Sequence, residues 1–150
     1  PPVSALGNLL VALQFALLAV LLAFGGRGWA ARLPPPDAFV LAAGAVALGL
    51  WALSANRPGN FNIRPLPRAG GQLVRSGPYR WIRHPMYSAL LLGGAACARA
   101  AVTPLGWTAL LALALVLAAK AAVEERALLQ RYPDYRAYRQ HTRRFVPFVF

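Results

Sequence analysis

The long apolar runs of this chain constrain its fold more than any other feature. The first run extends from Val3 to Phe24 and is interrupted only by Ser4, Asn8 and Gln14. At ~1.5 Å per residue, a helix of that length crosses a hydrocarbon core of ~30 Å. A helix also satisfies its own backbone hydrogen bonds, which a bilayer cannot do for it. The run therefore predicts a transmembrane helix.

Three more apolar segments follow the first. The second covers residues 38 to about 53, the third is short at 86–98, and the fourth begins at Pro104 and is helical to about Arg131. Between the first two, the sequence GGRGWAARLPPPD at 25–37 is expected to break the helix, since it combines glycines with three consecutive prolines. The prediction is an all-α fold, an integral membrane helical bundle with about four transmembrane helices.

We expect one membrane domain of residues 1–150, in which 1–53 form two N-terminal spans and 85–131 a helical hairpin. Residues 54–84 are expected to form a basic loop, because prolines and glycines leave no room for a long helix. Residues 132–150 are expected to form a tail with a short helix. Pro133 and Asp134 suit its first turn, and Tyr135 and Tyr138 share one of its faces.

The arginines predict the orientation. Six lie in the loop, six lie in the tail, and the other two connections hold three. With four spans, both rich regions fall on one side, which the positive-inside rule makes cytoplasmic together with the N-terminus. The two rich sets are Arg57, Arg64, Arg68, Arg75, Arg80 and Arg83, and Arg126, Arg131, Arg136, Arg139, Arg143 and Arg144. The alanine- and arginine-rich composition leads us to expect a bacterial inner membrane.

The net charge of +12 accompanies a composition that is 58% hydrophobic. We expect no nucleic-acid partner, because no soluble basic module carries the charge, which suits anionic lipid headgroups instead. Cys97 lies in an apolar stretch and is expected to be a packing residue. His84 and His141 are far apart in sequence, so no metal is expected. The sequence does not indicate an oligomeric state.

Residues 77–87, GPYRWIRHPMY, gather polar side chains directly before the third apolar segment. Arginine, tyrosine and tryptophan at such a position are common interfacial anchors, and Pro85 suits the first turn of a helix. Anchoring gives no reason for His84. This histidine makes the segment a candidate for a functional site.

The sequence KAAVEERALL at 120–129 contains two of the four acidic residues of the chain. One interpretation is a helix end among lipid headgroups, with Lys120 and Glu124 paired at i, i+4. Carboxylates beside a membrane span are costly without a partner, so Glu124 and Glu125 are also a functional hint. Neighbours on a helix point about 100° apart, so both do not face one ligand squarely.

The topology brings these two clusters together. The third and fourth segments form a hairpin, since only residues 99–104 link them. The histidine, the tyrosines and both glutamates then lie at one end of the hairpin. We predict a pocket at the membrane surface, with charged walls, an apolar floor and access to lipid.

Taken with the tail, these residues resemble the isoprenylcysteine carboxyl methyltransferase and phospholipid methyltransferase superfamily, which are integral membrane enzymes. The resemblance covers about residues 70–148, just over half of the chain, and the first two spans carry no comparable signature. It depends on an ordered set of motifs: Gly77, Tyr79, Arg83, His84, Pro85 and Tyr87, then Glu124, Glu125 and Leu128, then Tyr135, Tyr138 and Pro147.

The resemblance implies a methyltransferase that uses S-adenosylmethionine and releases S-adenosylhomocysteine. It implies that 85–131 is a catalytic hairpin and that the tail is a lid over a cofactor site at the cytoplasmic face. The implied cofactor-binding residues are Tyr79, Arg83, His84, Pro85, Tyr87, Glu124, Glu125, Tyr135 and Tyr138, and the implied catalytic residues are Arg83, His84 and Arg144. Which glutamate contacts the cofactor stays open.

The methyl acceptor is expected to be a lipid-like or small apolar molecule that enters from the bilayer. A carboxylate acceptor needs only an arginine to orient it. An amine or thiol must first lose a proton, for which His84 is the best-placed group. The sequence leaves carboxylate, amine and thiol acceptors open.

Two other functions compete with this one. Steroid and sterol reductases share a similar membrane core but use NADPH, whose phosphate the basic loop would suit. A small membrane protein whose basic tail recruits anionic lipid is the non-enzymatic alternative. Binding of S-adenosylhomocysteine, of NADPH, or of neither separates the three.

Overall fold

The computed structural model describes residues 2–56, 60 and 70–150, and the side chains of these residues from Ala5 onward. Much of the basic loop, including Arg57, Arg64 and Arg68, lies outside the described residues. Within the described part, five α-helices and one 3-10 helix form the fold, and no strand is present. The helices are α1 (Pro2–Ala31), α2 (Pro36–Ala55), α3 (Pro85–Ala101), α4 (Pro104–Arg131) and α5 (Tyr135–His141), with the 3-10 helix at Gly77–Arg80. The predicted all-α fold, with its hairpin and its short tail helix, is confirmed.

Three of the described helices, α1, α2 and α4, are long and apolar enough to cross a membrane. The sequence analysis predicted about four transmembrane helices. Helix α3 has 17 residues and reaches ~25 Å, less than a typical hydrocarbon core. Numerous large apolar side chains on α1, α2 and α4 are exposed, including Leu22, Val40 and Leu115. Such surfaces are stable in lipid, which together with the three long apolar helices indicates a membrane protein.

Prolines mark the starts of three helices. Pro36, Pro85 and Pro104 each occupy the first turn of α2, α3 and α4, where the missing N–H has no intrahelical partner to lose. The side chain of Thr103 also accepts a hydrogen bond from the backbone N–H of Leu105 at 3.4 Å. These signals explain why the start of α4 was predicted to the residue.

The predicted break after Phe24 is wrong, because α1 continues through the glycines to Ala31. The reason is packing against α3. A Cβ atom on Gly28 would lie 2.2 Å from the carbonyl oxygen of Ala100, and one on Gly25 would lie 2.7 Å from the Cβ of Cys97. Close helix approach needs residues this small. The contact with α3 therefore outweighs the low helix propensity of glycine, and the chain breaks only at the three prolines.

Helix α3 is the centre of the bundle, because α1, α2 and α4 all pack against it. The buried core lies mainly between α1, α3 and α4, and one side chain of the tail, Phe145, joins it. A left-handed residue, Val102, turns the chain between α3 and α4. The core residues are Leu21, Ala98, Ala109, Leu113, Leu117, Ala121 and Phe145. This packing fixes the ends of α3 and α4 beside each other, with the tail against them.

Two glycine substitutions on α1 test the packing of α1 on α3. Gly28→Ala should lower the melting temperature, because the new methyl group collides with the backbone of α3 and overpacking costs about 1–3 kcal/mol. Gly26→Ala is the matched control, since a Cβ atom there has no neighbour within 4 Å. It should leave the melting temperature unchanged or raise it. Thermal unfolding in detergent measures both, and equal effects would contradict this packing.

Candidate functional site

The segment RHPMY is held in place by the backbone of the tail. The N–H groups of Arg83 and His84 donate to the carbonyls of Arg143 and Arg144, at 2.7 and 3.1 Å. The hydroxyl of Ser88 donates to the carbonyl of Phe145 at 2.7 Å. The RHPMY segment and the tail, about 60 positions apart in the sequence, are therefore joined to each other. Each of them carries an arginine, Arg83 and Arg144, that reaches α4.

Glu125 of α4 lies beneath these two segments and is 2% exposed. Arg83 donates to its Oε1 at 2.9 Å, and Arg144 donates to its Oε2 at 3.1 Å. The Nε2 atom of His84 lies 3.2 Å from Oε1. The Nε atom of Arg139 is farther away, at 3.8 Å from Oε2 of Glu125. Buried charges need such compensation, so this carboxylate joins α4 to the RHPMY segment and the tail.

Glu124, the next residue on α4, faces a different direction and is more open, with 29% of its side chain exposed. The hydroxyl of Tyr87 donates to its Oε2 at 3.2 Å, and Nδ1 of His84 lies 3.6 Å from the same atom. His84 therefore has a carboxylate at each ring nitrogen and is 6% exposed. The ring is oriented between the two glutamates and holds both in place.

A polar pocket of about 130 Å³ opens beside Glu124. Its walls come from the end of α2, the segment after the loop, the start of α3, the end of α4 and the tail. The residues that line this polar pocket are Asn56, Asn60, Gly71, Gln72, Leu73, Val74, Tyr79, Arg83, His84, Met86, Tyr87, Glu124, Leu128, Tyr132, Tyr135 and Tyr138. It thus combines five phenol groups with amides, one partly exposed carboxylate and an apolar floor.

Burial keeps the phenols of Tyr79, Tyr135 and Tyr138 protonated. It raises the pKa of Tyr79 to about 12, with a further contribution from the negative charge of Glu124. Burial also raises the pKa values of Tyr135 and Tyr138. The hydroxyl of Tyr138 donates to the carbonyl of Tyr79 at 2.7 Å. The hydroxyl of Tyr135 is the one buried side-chain polar atom in the described part of the chain without a hydrogen-bond partner.

The structure brings the sequence-predicted site residues into one cluster. Seven of them line the polar pocket: Tyr79, Arg83, His84, Tyr87, Glu124, Tyr135 and Tyr138. The other three, Pro85, Glu125 and Arg144, do not line it. Glu125 and Arg144 form an ion pair outside the lining of the pocket, and Pro85 begins α3. The geometry gives Glu124 the position facing the pocket and Glu125 the position that holds the wall together.

Sequence reasoning missed the amide side of the polar pocket. Asn60 donates to the side chain of Asn56 at 2.8 Å and to the carbonyl of Gln72 at 2.9 Å, and it accepts from the N–H of Gln72 at 2.8 Å. These bonds tie the end of α2 to the segment before the 3-10 helix. In the sequence NRPGN, Asn56 and Asn60 are typical turn residues. No pattern in the sequence indicated that Asn60 pairs with Gln72.

A second cavity, of about 720 Å³, lies deeper, between α1, α2 and α3. We call it the intramembrane groove, since nearly all of its lining is apolar. Met86 and Tyr87 line both this groove and the polar pocket. One methionine and one tyrosine therefore separate a polar cavity at the end of the bundle from an apolar cavity within it.

A profile of the Isoprenylcysteine carboxyl methyltransferase (ICMT) family matches residues 38–130. This range includes nearly all of α2 and α4 and the whole of α3, and it leaves α1 and the tail outside. The cobalt-zinc-cadmium resistance protein CzcN of Cupriavidus metallidurans is 39% identical to this chain over 82 residues. That alignment covers 53% of this chain but only 38% of the relative. No solved structure matches the chain.

Neutralising the two glutamates one at a time should affect stability to very different extents. Glu125→Gln should lower the free energy of unfolding by about 3–5 kcal/mol, because it leaves the largely enclosed Arg83 and the partly exposed Arg144 without their buried counter-charge. Glu124→Gln should change it little, since that carboxylate is partly exposed. Denaturation in detergent measures both variants. A tolerant Glu125 together with a sensitive Glu124 would contradict the assigned positions.

Proposed function

The chain belongs to the isoprenylcysteine carboxyl methyltransferase family, and from that premise we propose that it transfers a methyl group from S-adenosylmethionine to a lipid-like or small apolar acceptor. Membership in the family supports a membrane methyltransferase in general. The cofactor and the class of acceptor are our proposals. The chain aligns with little more than a third of CzcN, so the resistance function named for that protein is not carried over.

The single observation that carries the proposal is the chemistry of the polar pocket. S-adenosylmethionine is a cation at its sulfonium and its ammonium, and it also bears a carboxylate, ribose hydroxyls and a purine. Glu124 offers a partly exposed carboxylate, and the rings of Tyr79, Tyr87 and Tyr135 offer aromatic faces. The unpartnered hydroxyl of Tyr135 offers a buried donor to a ligand. These groups fit the cofactor chemically.

The size of the polar pocket bears on how a cofactor enters it. Ligand sites usually enclose ~300–1,000 Å³, and this pocket encloses about 130 Å³. Hydrogen bonds from Tyr138 to Tyr79 and from Tyr132 to Gly71 close two of its walls. We therefore propose that α5, as a lid, moves outward to admit the cofactor and then closes over it, while residues 143–145 stay bound to the segment before α3. Closure excludes water from the reacting groups.

When bound, S-adenosylmethionine would supply an activated methyl group to a lone pair of the acceptor. The protein has to hold both partners in line and dry. Glu124 and the tyrosines would hold the donor. Arg83, His84 and Arg144 hold Glu125 and hence the lid, so their proposed contribution is to position the site.

The acceptor would reach the site through the intramembrane groove. Its apolar lining suits an alkyl or isoprenoid chain, and its shared wall at Met86 and Tyr87 brings that chain to the edge of the polar pocket. The reductase alternative finds less support. Arg83 is the one cationic arginine or lysine among the described residues that line the polar pocket, and it is already bonded to Glu125 and Thr142.

Calorimetric titration of the detergent-solubilised protein with S-adenosylhomocysteine tests the proposal. Saturable binding is expected, and Glu124→Gln should weaken it by about tenfold or more, because a charge-assisted hydrogen bond is lost. Tyr135→Phe should weaken it less. Asp134→Asn is the control, since the side chain of Asp134 is exposed, pairs with Arg75 and lies outside the lining of the polar pocket. NADPH is titrated in parallel, and its binding in place of S-adenosylhomocysteine would move the chain to the reductases. Binding of neither by a folded sample would support the lipid-recruiting alternative.

We also propose that the basic loop and the tail face the cytoplasm of a bacterial cell, as the positive-inside rule predicts. Two single-cysteine variants in a Cys97→Ala background test this. Leu33→Cys marks the exposed connection between α1 and α2, and Gln140→Cys marks an exposed face of α5. A membrane-impermeant maleimide on intact spheroplasts should label the first and spare the second. The reverse pattern would invert the orientation.

A further inference from the structure

A third cavity, of about 380 Å³, lies on a different face of α3 from the intramembrane groove. Its walls come from α2, from residues 78–82, from α3 and from residues 145–147 of the tail, and we call it the tail groove. Among the described residues, none lines both the tail groove and either of the other two cavities. An occupant of the tail groove would therefore not contact the proposed methyl donor, and the groove needs an explanation of its own.

The tail groove is apolar and lies between helices that face lipid. Leu48 and Trp51 of α2 line one side, and Leu91 and Leu92 of α3 line the other. The one hydroxyl in the lining, that of Ser88, already donates to a carbonyl of the tail. The volume lies within the usual range for ligand cavities. A groove of this composition on a membrane-embedded surface suits a hydrocarbon chain.

One end of the tail groove is marked by two tryptophans and two arginines. Trp51 and Trp81 are both partly exposed, with ring centres 5.8 Å apart, and tryptophans of this kind mark the interface between lipid and water. The guanidinium of Arg80 lies 5.4 Å from the centre of the Trp81 ring. The backbone N–H of Arg143 donates to the carbonyl of Trp81 at 2.9 Å, and its side chain is exposed. The groove therefore has a cationic end at the interface.

These two arginines lack an internal counter-charge. The structure describes all four acidic residues of the chain, and each of them is paired with another group. Among the described residues, none of these acids forms an ion pair with Arg80 or Arg143. Guanidinium groups bind phosphate oxygens well, and the headgroups of a bilayer present phosphates at this level. The charge at the end of the groove thus complements an anion from the membrane.

We propose that the tail groove binds an anionic phospholipid of the surrounding bilayer, with one acyl chain between α2, α3 and the tail and the phosphate at Arg80 and Arg143. A net negative headgroup is favoured, because a zwitterionic one would bring its own cation close to the two arginines. The proposal does not depend on the methyltransferase function, and this lipid is not the methyl acceptor.

The bound lipid would support the fixed part of the tail. Residues 145–147, which line the groove, directly follow residues 143–144, whose carbonyls hold the N–H groups of Arg83 and His84. An acyl chain in the groove would contact α3 and this part of the tail together. It would therefore stabilise the base from which α5 is proposed to move.

Quenching of tryptophan fluorescence by brominated lipids tests the proposal. Trp51 and Trp81 line the tail groove, and the substitutions Trp29→Phe and Trp107→Phe remove the other two tryptophans. The protein is placed without cofactor in phosphatidylcholine nanodiscs that contain increasing fractions of brominated phosphatidylglycerol or of brominated phosphatidylcholine. Half-maximal quenching should need about tenfold less of the anionic lipid, because each arginine near a lipid surface favours it by about fivefold.

The substitutions Arg80→Gln and Arg143→Gln should each reduce this preference by about fivefold. Both side chains are exposed, so the variants are expected to fold. Arg136→Gln is the matched control, because it removes an exposed positive charge of the tail that lies outside the groove. It should leave the preference unchanged.

A second pair of variants distinguishes a chain in the groove from lipid that only surrounds the protein. Leu48→Phe enlarges a side chain of the groove lining and should weaken the association of phosphatidylglycerol by about fivefold. Leu50→Phe makes the same change at an exposed position of the same helix outside the groove, and it should have no effect. Phosphatidylglycerol should also raise the melting temperature of the wild-type protein more than that of Leu48→Phe.

Equal quenching of the wild-type protein by the two lipids would overturn the proposal. An equal loss of preference in Arg136→Gln would assign the preference to overall charge, and an unchanged association in Leu48→Phe would place the lipid elsewhere, so either result would also overturn it. S-adenosylhomocysteine is titrated into the same samples. Its failure to bind would remove the methyltransferase proposal and would leave the lipid measurements to decide on the tail groove by themselves.

Discussion

The rest of this structure depends on one buried carboxylate. Glu125 accepts hydrogen bonds from Arg83 and Arg144 and contacts His84, so one side chain of α4 fixes both the segment before α3 and the C-terminal tail. The attraction is strong because the group is removed from water, and the same burial makes each cation costly without it. The backbone pairing of residues 82 and 143 then follows from, and reinforces, the position set by the charges.

The adjacent Glu124 shows why the order of the two acidic residues matters. Consecutive residues on a helix point about 100° apart, so the first carboxylate faces the polar pocket while the second faces the arginines. His84 contacts both and links the two functions. A ligand that binds Glu124 would therefore affect a histidine that also holds Glu125, and through it the tail. The geometry would therefore couple occupation of the pocket to the position of the proposed lid.

The sequence predicted the parts of the fold that local physics decides. Run lengths and prolines located α2, α3 and α4 to within three residues, and the RHPMY and EER motifs with the two tail tyrosines located the cluster. It did not predict contacts that depend on a distant partner. Gly25 and Gly28 were expected to end the first helix, because nothing near them in the sequence shows that α3 packs against them. No pattern in the sequence indicated that Asn60 forms hydrogen bonds with Gln72. For Lys120 the sequence suggested only a pair with Glu124, four residues later on the same helix. Its bond to Gln14 joins residues 106 positions apart.

The location of the site follows from the charges of the proposed reaction. In that reaction the sulfonium charge of the donor would be dispersed as the transition state forms. Water stabilises a localised charge more than a dispersed one, so its exclusion would favour the reaction. The donor would arrive from water and the proposed acceptor from lipid. A boundary between a polar pocket and an apolar groove suits these three requirements, and among the described residues the pair Met86 and Tyr87 forms such a boundary. The phenol of Tyr87 is suited to the position, because its hydroxyl satisfies Glu124 on one side while its ring faces Lys120 on the other.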